Sequence, residues 1–352
     1  MQTDSIELSF LSIFAFLTFF IFLIVSKYSY KLNNGILLDN DFVKPQSFHQ
    51  EPISRSGGIA SIISLLIFFG INYLLYSKIL YEYIFICLSL FLVGYLDDIK
   101  IKISPNLRLT LMIIFLVIII ISLPINIYSI DLIFLNSWLE NNIFSAFFIL
   151  ICFLFIVNGA NLIDGFNGLL TINLIIINSI LLFINIENNH LEFSFFLTAQ
   201  IIILTCFLLF NFPKAKIFLG DSGSYLFGSM VALNTITTNN LNSNISAFFF
   251  CILLFYIFYE VFFSFFRKLL QKKSPLLPDQ NHFHMLIYKY LKKRYPLKNN
   301  NCLTSLYLNI GYFILILPGI YFMENPLFSR YWFFILLFVY TLLYSRLYKS
   351  VK

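Results

Sequence analysis

Long apolar runs recur along the whole chain, and they constrain its fold more than any other feature. Each run is about twenty residues long, which lets a helix cross the roughly 30 Å of hydrocarbon in a bilayer. Lipid offers the backbone no hydrogen-bond partners, so such runs have to be helical. The sequence therefore predicts a bundle of about eleven transmembrane helices. The runs begin near Ile6, Gly57, Ile79, Arg108, Phe144, Gly168, Glu192, Gly223, Ile245, Cys302 and Leu327.

The composition agrees with this prediction and excludes a soluble globular protein. Apolar residues make up 59% of the 352 residues, charged residues make up 11%, and the mean hydropathy is +0.85. The sequence predicts one all-α integral membrane domain over residues 1–352, in which residues 267–301 form the longest loop. The five cysteines have no paired spacing, so we expect neither a disulfide framework nor a cysteine metal site.

The distribution of basic residues predicts which helix ends face the cytoplasm. In an eleven-helix topology, all of the 23 Lys and Arg residues except Lys78 and Arg330 fall on one side. Cytoplasmic loops carry such an excess of basic residues. We therefore expect a multi-pass membrane protein, with its N-terminus outside and its basic loops in the cytoplasm. Asp4 and Glu7 precede the first run without a basic leader, which favours a retained helix over a signal peptide.

A polar stretch, NGANLIDGFNG, follows one of the apolar runs directly at residues 158–168. On a helix, Asn158, Asn161 and Asp164 would present their oxygens toward one side. The glycine that ends the stretch, Gly168, allows a tight turn or a close approach to a ligand. Polar groups at a membrane boundary indicate a functional site, although a polar helix end with a glycine stop gives the same pattern.

Two more loops on the predicted cytoplasmic side carry aspartates. Asp97 and Asp98 are adjacent, and Arg108 begins the following run. Adjacent carboxylates at a membrane boundary favour metal binding or general-base catalysis, whereas a solvated helix cap is the structural alternative. The segment GDSGS places Asp221 in a turn that suits Mg²⁺ carrying phosphates, or Asp221 caps the helix that follows.

Basic and histidine-bearing loops complete the pattern on this side. Arg55, just before a glycine pair at a helix start, can bring a guanidinium toward an anion, or it anchors the helix as a positive-inside residue. The loop at 267–301 carries His282 and His284, whose spacing alone is not a zinc site, and we favour phosphate or sugar contacts. Three acidic loops and one basic, histidine-bearing loop on a single face describe a divalent-metal site for a diphosphate substrate.

The chain resembles the polyprenyl-phosphate N-acetylhexosamine-1-phosphate transferases, and five motifs in that family's order carry the resemblance. They are P-x-x-R-x-G-G at 52–58, D-D at 97–98, N-x-x-N-x-x-D-G-x-x-G-L at 158–169, G-D-x-G-S at 220–224 and P-D-x-x-H-x-H at 278–284. The resemblance implies ten or eleven transmembrane helices, a cytoplasmic active site, and Mg²⁺ with Mn²⁺ as a substitute. It also implies a UDP-N-acetylhexosamine donor, an undecaprenyl phosphate acceptor, a bilayer environment and often a homodimer. No nucleic-acid partner is expected.

The resemblance also implies roles for individual residues. Asp97, Asp98 and Asp164 are expected to be catalytic, with Asp97 as the base. Asp221 is expected to be the principal Mg²⁺ ligand, together with Asn161. The expected substrate-binding residues are Asn158 and Asn167 beside the nucleotide sugar, Asn211 and Phe218 at the uracil ring, Arg55, Lys102 and Arg108 at the phosphates, and His282 and His284 near the donor diphosphate or sugar.

The chain departs from the family pattern at three positions. Asn167 stands where many relatives have Asp, which replaces a charged acceptor by an amide. Met285 stands where a further His is common, so one imidazole is absent. Glu260 stands where relatives often carry Asp, and its role is left open between an ion pair with Arg267, a water-facing carboxylate and catalysis.

We expect the protein to transfer an N-acetylhexosamine 1-phosphate, most simply that of N-acetylglucosamine, to undecaprenyl phosphate as the first step of a cell-envelope glycan such as O-antigen. The alternative within the family is a phospho-N-acetylmuramoyl-pentapeptide transferase, but the segment Lys44–His49 and the P-D-x-x-H-x-H form favour enzymes for smaller sugars. The alternative of another class is a secondary transporter. Transporters place broken helices near the midplane in two related halves, whereas here the motifs lie at one face. Direct transfer and a two-step route through an aspartyl phosphate both stay open.

Overall fold

The computed structural model describes residues 2–31, 35–40, 51–101, 103–123, 125–275, 279–295 and 300–351, with side chains from residue 9 onward. Three predicted features lie outside these residues: the segment Lys44–His49, the phosphate contact Lys102, and Pro278 of the histidine motif. The described chain forms 14 helices and two short strands. This confirms the predicted all-α class.

The elements follow one another with short connections. In chain order they are α1 Gln2–Tyr28, β1 Leu38–Asp39, β2 Ile53–Ser54, α2 Gly57–Tyr76, α3 Tyr81–Asp98, α4 Pro105–Ser122, α5 Ile133–Leu139, α6 Asn142–Ile163, α7 Leu169–Glu187, α8 Leu191–Asn211, α9 Gly220–Leu241, α10 Ala247–Leu253, α11 Phe255–Leu270, α12 Phe283–Arg294, α13 Asn300–Tyr321 and α14 Pro326–Val351. The predicted loop at 267–301 thus begins inside α11 and contains α12, in which the buried residues Phe283, Leu286 and Ile287 recur at helical spacing.

Each predicted apolar run coincides with one helix or, once, with a bent pair of helices. Within the described residues, eight helices are long and apolar enough to cross a bilayer, and α10 with α11 forms a ninth candidate that is bent by 76°. The chain is therefore a multi-pass membrane protein. The two remaining runs, α3 and α9, have the length but are too polar or charged to qualify by composition. The total of eleven spans stays a prediction.

Helix α9 lies at the centre of the bundle, where it packs on α2, α3, α6 and α7. Its neighbours approach it through positions that lack a side chain. A Cβ atom on Gly94 of α3 would lie 2.4 Å from the backbone of Asp221, and one on Gly58 of α2 would lie 2.6 Å from the backbone nitrogen of Gly223. Small residues permit such close contact in membrane bundles, where van der Waals packing drives helix association.

A two-stranded antiparallel sheet lies before α2, and a separate β-bridge ties its second strand to the segment before α9. Leu38 of β1 pairs with Ser54 of β2, and Ser54 also forms a parallel bridge with Ile217. The backbone N–H of Phe218 donates to the carbonyl of Ser54 at 2.8 Å, and the N–H of Gly57 donates to the carbonyl of Phe218 at 2.9 Å. These bonds hold the starts of α2 and α9 side by side.

Buried amides explain how the polar helix α9 is accommodated inside the bundle. The amide nitrogen of Asn234 donates to Oδ1 of Asn178 in α7 at 2.9 Å and to Oε1 of Gln200 in α8 at 2.7 Å. All three side chains are buried. A polar group in a membrane interior needs such partners, and each cross-helix hydrogen bond contributes roughly 0.6 kcal/mol. The polar residues of α9 therefore favour its position between helices rather than against lipid.

Replacing Gly94 by alanine should destabilise the protein, because the added methyl group has to displace the backbone at the start of α9. Overpacking of this kind costs about 1–3 kcal/mol and should lower the Tm of the detergent-purified protein. Gly70→Ala is the matched control, since a Cβ atom there has no described atom within 4 Å. An unchanged Tm for Gly94→Ala would contradict the close contact between α3 and α9.

Candidate active site

Polar residues from five segments meet at one end of the bundle. The carboxyl ends of α3 and α6, the amino ends of α4 and α9, and the segment between β2 and α2 all lie there. The structure thus brings together the acidic loops that the sequence placed on one face. We call these residues the acidic cluster: Arg55, Asp97, Asp98, Arg108, Asn161, Asp164 and Asp221.

Asp98 holds the start of α9, although it belongs to α3. One of its oxygens accepts the backbone N–H of Asp221 at 3.0 Å, and the other accepts the N–H and the hydroxyl of Ser222 at 2.9 and 2.6 Å. The first N–H groups of a helix have no partner within it, and a negative charge there is stabilised by the helix dipole. Asp98 is 1% exposed. This residue, predicted to be catalytic, therefore has the geometry of a positioning group, and direct catalysis by it stays a prediction.

Arg108 bridges two carboxylates from different helices. Its Nη1 lies 3.4 Å from Oδ2 of Asp97 and 2.9 Å from Oδ2 of Asp221. Its guanidinium also lies 5.8 Å from the centre of the Tyr225 ring. The side chains of Arg108 and Asp97 are 25% and 29% exposed, so they border the surface that a ligand can reach. Two carboxylates this close repel each other unless a cation stays between them.

Asn161 supports the carboxylate of Asp221 from the other side. Its Nδ2 donates to Oδ1 of Asp221 at 2.9 Å and to the hydroxyl of Ser224 at 3.0 Å. The amide nitrogen rather than the oxygen faces Asp221, so the predicted metal-ligand role requires the amide to turn and stays a prediction. Asn158, one turn earlier, donates to the carbonyl of Leu154 in its own helix at 2.7 Å. Its predicted substrate contact is likewise untested.

Arg55 approaches the cluster from the segment before α2. Its Nη2 lies 2.7 Å from Oδ2 of Asp39, and its Nη1 lies 3.7 Å from Oδ1 of Asp98. Burial opposes its charge, but the carboxylates of Asp221 and Asp39 outweigh burial and raise the pKa of Arg55 above its ordinary value. The guanidinium is therefore a permanent positive charge at this end. Asp39 was not predicted from the sequence to be a partner of Arg55. Only the pairing of β1 with β2 brings the two residues together.

Asp164 follows the last residue of α6 and lies outside that span. Burial, followed by repulsion from the carboxylates of Asp221 and Asp98, raises its pKa well above the ordinary range. A carboxyl group with a raised pKa can hold a proton near neutral pH and exchange it during a reaction. It releases the proton more readily when a cation arrives nearby. The predicted catalytic role of Asp164 agrees with this environment.

Asn211 fastens two loops to each other. Its Oδ1 accepts the N–H of Gly168 at 2.7 Å, and its Nδ2 donates to the carbonyl of Ile217 at 3.0 Å. Both functional groups of the amide thus bond to backbone, and the amide keeps one acceptor site and one donor hydrogen for a further partner. Asn167 and Phe218 lie half-buried in the same region. The substrate contacts predicted for these three residues stay predictions.

The two motif histidines lie in a second group, which contacts the polar stretch after α6 through Phe166. Nδ1 of His282 lies 3.1 Å from Oε1 of Glu260, and Nε2 lies 3.4 Å from Oδ1 of Asp279. The His284 ring lies parallel to that of His282 at 5.6 Å and meets the Phe166 ring edge-on at 5.5 Å. We call Glu260, Asp279, His282 and His284 the histidine cluster.

Glu260 does not have either of the two structural roles considered from the sequence. It is 1% exposed, so it is not a water-facing carboxylate. Arg267 pairs at 2.7 Å with Asp279 instead, so the ion pair with Arg267, which the sequence left open, is not formed. Helix α11 directs Glu260 toward His282, which directly precedes α12, and toward Tyr340 of α14. Glu260 could be noticed in the sequence because it is a lone acid within an apolar run. No feature of the sequence pointed to Tyr340 as its partner.

The acidic cluster suits a metal ion that is completed by substrate. Within the described ranges, no three His, Cys, Asp or Glu side chains converge so as to hold a metal by themselves. Asp97 and Asp221 form a pair of carboxylates around one guanidinium nitrogen. Mg²⁺ at phosphate-transfer sites is usually bound by one or two carboxylates, with water and substrate phosphates as its other ligands. The pair fits such an ion.

Comparison with known proteins identifies the family. A sequence profile of glycosyl transferase family 4 matches residues 79–239. An undecaprenyl-phosphate alpha-N-acetylglucosaminyl 1-phosphate transferase of Thermotoga maritima is 30% identical over 266 residues, which are 72% of this chain and 77% of that protein. The chain belongs to glycosyl transferase family 4. The profile runs from the segment before α3 into α9, and it includes all four aspartates of the acidic cluster.

Two further relatives show how the likeness is distributed along this family 4 protein. A transferase of the same name from Salmonella typhi is 26% identical over 288 residues, 79% of this chain and 75% of that protein. A phospho-N-acetylmuramoyl-pentapeptide-transferase of Clostridium perfringens is 33% identical over 105 residues, 30% of this chain and 33% of that protein. Family membership confirms the resemblance inferred from the motifs and speaks against the secondary transporter.

Asp98→Asn should lower stability more than Asp97→Asn does. The amide places an NH₂ group among the donors of Asp221 and Ser222, and each charge-assisted hydrogen bond contributes about 1.5–3 kcal/mol. Asp97 has a partly exposed ion pair, worth about 1 kcal/mol or less. Thermal unfolding of the two variants checks this difference, and equal Tm values would contradict the capping role of Asp98.

His284→Gln should weaken the pH dependence of stability. Burial, together with the neighbouring His282, lowers the pKa of His284 to about 4, although Glu260 acts in the opposite direction. The ordinary value is about 6.5, so between these pH values the unfolded chain binds a proton that the folded protein excludes. The free energy of unfolding should therefore fall as pH drops from about 7 to about 5, by up to about 1.4 kcal/mol per pH unit from this group.

Unfolding of wild type and His284→Gln at several pH values in that window tests this expectation. The two curves should converge toward acidic pH, because only the wild type loses this contribution. His190→Gln, at the residue before α8, is the control and should follow the wild-type slope. Parallel curves for wild type and His284→Gln would show that the buried imidazole does not control this pH dependence.

Proposed function

We propose that this protein transfers N-acetylglucosamine 1-phosphate from UDP-N-acetylglucosamine to undecaprenyl phosphate and releases UMP. The support is its likeness, over 72% and 79% of the chain, to two enzymes named undecaprenyl-phosphate alpha-N-acetylglucosaminyl 1-phosphate transferase. The muramoyl-pentapeptide transferase aligns over 30% of the chain and is the second candidate. The product, an undecaprenyl diphosphate sugar, would begin a cell-envelope glycan such as O-antigen.

The placement of Arg108 between Asp97 and Asp221 is the feature of the geometry that carries this proposal. One guanidinium nitrogen lies within 3.4 Å of an oxygen from each carboxylate. Guanidinium groups match the geometry of phosphate oxygens, so a bound donor diphosphate offers Arg108 an alternative partner. When Arg108 turns to the diphosphate, the two carboxylates need another cation. The site is thus built for anionic substrate and cation together.

Mg²⁺, or Mn²⁺ in its place, would be held by Asp97 and Asp221, with the oxygen of Asn161 as a further ligand if that amide turns. In the described part of the acidic cluster, four aspartates face two arginines. This excess of negative charge suits a divalent cation. A bound divalent ion offsets the charge of the transferring phosphoryl group and orients the two phosphates.

The transfer forms one phosphorus–oxygen bond and breaks another. An oxygen of the acceptor phosphate attacks the β-phosphorus of the donor, and the bond to the oxygen that bridges the two phosphorus atoms breaks, so its electron pair leaves with UMP. A phosphate monoester has its second pKa at about 6, so Asp97 has to position the acceptor more than deprotonate it. Arg108 and Arg55 offset the charge of two anions that must approach each other. Asp164 supplies an exchangeable proton.

The proposal includes the orientation in the membrane and the location of the enzyme. The acidic cluster faces the cytoplasm of a bacterial inner membrane, and the N-terminus lies outside, because nearly all basic residues fall on the side of the cluster. The two exceptions are engaged at the other end: Lys78 pairs with Glu192 at 3.1 Å, and Arg330 donates to the carbonyl of Asp131 at 2.7 Å. A homodimer is a further expectation from the family.

Transfer of radiolabelled sugar phosphate tests the reaction. Purified protein should move label from UDP-N-acetylglucosamine into undecaprenyl lipid only with Mg²⁺ or Mn²⁺, and excess UMP should reverse the transfer. Asp221→Asn should lower the rate about a hundredfold or more, because metal-linked charge stabilisation contributes several kcal/mol. Glu192→Gln, an exposed acid paired with Lys78, is the control and should retain the wild-type rate.

The choice of donor and metal separates the alternatives. Transfer from UDP-N-acetylmuramoyl-pentapeptide without transfer from UDP-N-acetylglucosamine would favour the second candidate. Full activity in a chelator would contradict the divalent metal. Folded wild-type protein that transfers sugar phosphate from no UDP-N-acetylhexosamine would overturn the proposed reaction.

A further inference from the structure

Glu260 joins three helices at one buried point. From α11, its Oε1 lies 3.1 Å from Nδ1 of His282 and accepts the backbone N–H of Phe283 at 3.0 Å. Its other oxygen accepts the hydroxyl of Tyr340 in α14. Phe283 is the first residue of α12, so the carboxylate also satisfies an N–H group that the start of a helix leaves without a partner.

His282 uses both of its ring nitrogens within this network. Its Nε2 lies 3.4 Å from Oδ1 of Asp279, which in turn pairs with Arg267. A carboxylate therefore stands at each nitrogen, and the residue is 1% exposed. An imidazole has two hydrogen-bonding nitrogens, and each nitrogen of this ring faces a carboxylate of the protein. Its position is that of a support, and the substrate contact predicted from the sequence stays a prediction.

His284 is in the opposite situation. Both of its ring nitrogens are buried, and neither has a hydrogen-bond partner among the described residues. Leaving a buried polar group without a partner costs free energy, and such a group in a native protein calls for an explanation. The rings of His282 and Phe166 hold its ring from two sides, the first with only 4° between the planes. The orphan nitrogens are therefore held in a fixed direction.

We propose that Glu260 is a positioning residue for the transfer reaction: it fixes the ring of His282, which holds His284 with a nitrogen available to the nucleotide-sugar donor. The inference rests on the proposed function. Glu260 acts through His282 and touches no substrate itself. The matching group on the donor is a hydroxyl, amide or phosphate oxygen, each of which can pair with an imidazole nitrogen.

The charge of Glu260 distinguishes positioning from simple helix capping. A neutral amide oxygen at residue 260 can still accept the N–H of Phe283, and an amide can pair with the hydroxyl of Tyr340. The orientation of His282 depends more strongly on charge, because the Glu260 carboxylate faces its Nδ1 at 3.1 Å and a charged acceptor forms a stronger hydrogen bond than a neutral amide oxygen. A carboxylate in a membrane helix is costly. The imidazole is the partner that explains why an acid stands there.

Glu260→Gln tests the role in catalysis. The variant keeps the capping oxygen, so its Tm should stay close to that of the wild type, but kcat should fall at least about tenfold, the low end of what loss of a ring-orienting partner costs. KM for undecaprenyl phosphate should not change, because the proposed contact of this cluster is with the donor and not with the acceptor. Glu260→Asp, which restores the charge, should recover more activity than Glu260→Gln.

Asp131→Asn is the matched control. Its carboxylate also accepts a hydroxyl, that of Ser246, and a backbone N–H, that of Phe248, near the start of a helix. It lies at the other end of the bundle, where Arg330 donates to its backbone carbonyl, and no histidine within the described residues contacts it, so the same change from carboxylate to amide should leave the rate unaltered. Equal losses in Asp131→Asn and Glu260→Gln would assign the effect to general destabilisation and overturn the positioning role.

A readout that does not depend on activity separates this inference from the proposed reaction. The chain has four histidines, so nitrogen-15 labelling of histidine gives few NMR signals, and His282→Gln assigns those of His282. Glu260→Gln should shift both ring signals of His282, while Asp131→Asn should not. Unshifted signals, or an unchanged kcat, would overturn the inference. A second outcome separates the two proposals. If Glu260→Gln shifts the His282 signals but the wild-type protein transfers no sugar phosphate, the proposed reaction is overturned while the orientation of His282 by Glu260 is supported.

Discussion

The start of helix α9 lies inside a membrane bundle, where its first N–H groups need acceptors that water does not supply. Asp98 provides them from α3, through bonds to the backbone of Asp221 and to Ser222. The rest of the acidic cluster depends on these bonds. Because the backbone of Asp221 is fixed, its side chain lies between Arg108 and Asn161. A small shift of α3 against α9 would separate the charged groups of the acidic cluster.

The histidine cluster repeats this arrangement with different residues. Glu260 of α11 accepts the first N–H of α12, and Asp98 of α3 accepts the second and third N–H groups of α9. In both cases a buried carboxylate on one helix caps another helix and lies next to a residue of the candidate site. A cap supplied by a neighbouring helix exists only when the helices are packed. The chemical groups at both sites are therefore set by tertiary structure rather than by local sequence.

The sequence was sufficient to predict the acidic cluster because its members lie at the ends of apolar runs and the basic residues assign those ends to one side. It could not separate Asp97 from Asp98. The side chains of neighbouring residues on a helix point about 100° apart. Because of the way α3 packs, Asp97 lies beside Arg108 and Asp98 lies at the start of α9. Asp39 escaped notice because strand pairing brings it to its partner. The partners of Glu260 lie on other helices, at separations that no local pattern encodes.

The central position of α9 has a consequence for how the protein enters the membrane. This helix is not apolar enough to qualify as a span by composition, yet α2, α3, α6 and α7, which surround it, all precede it in the chain. The glycines that receive its backbone, Gly58 and Gly94, are therefore synthesised first. During translation α9 can insert against helices that already offer it a fitting groove and polar partners. The order of helices along the chain thus allows a segment that lipid alone would hold weakly to enter the bundle and to place Asp221 at the end where the acidic cluster lies.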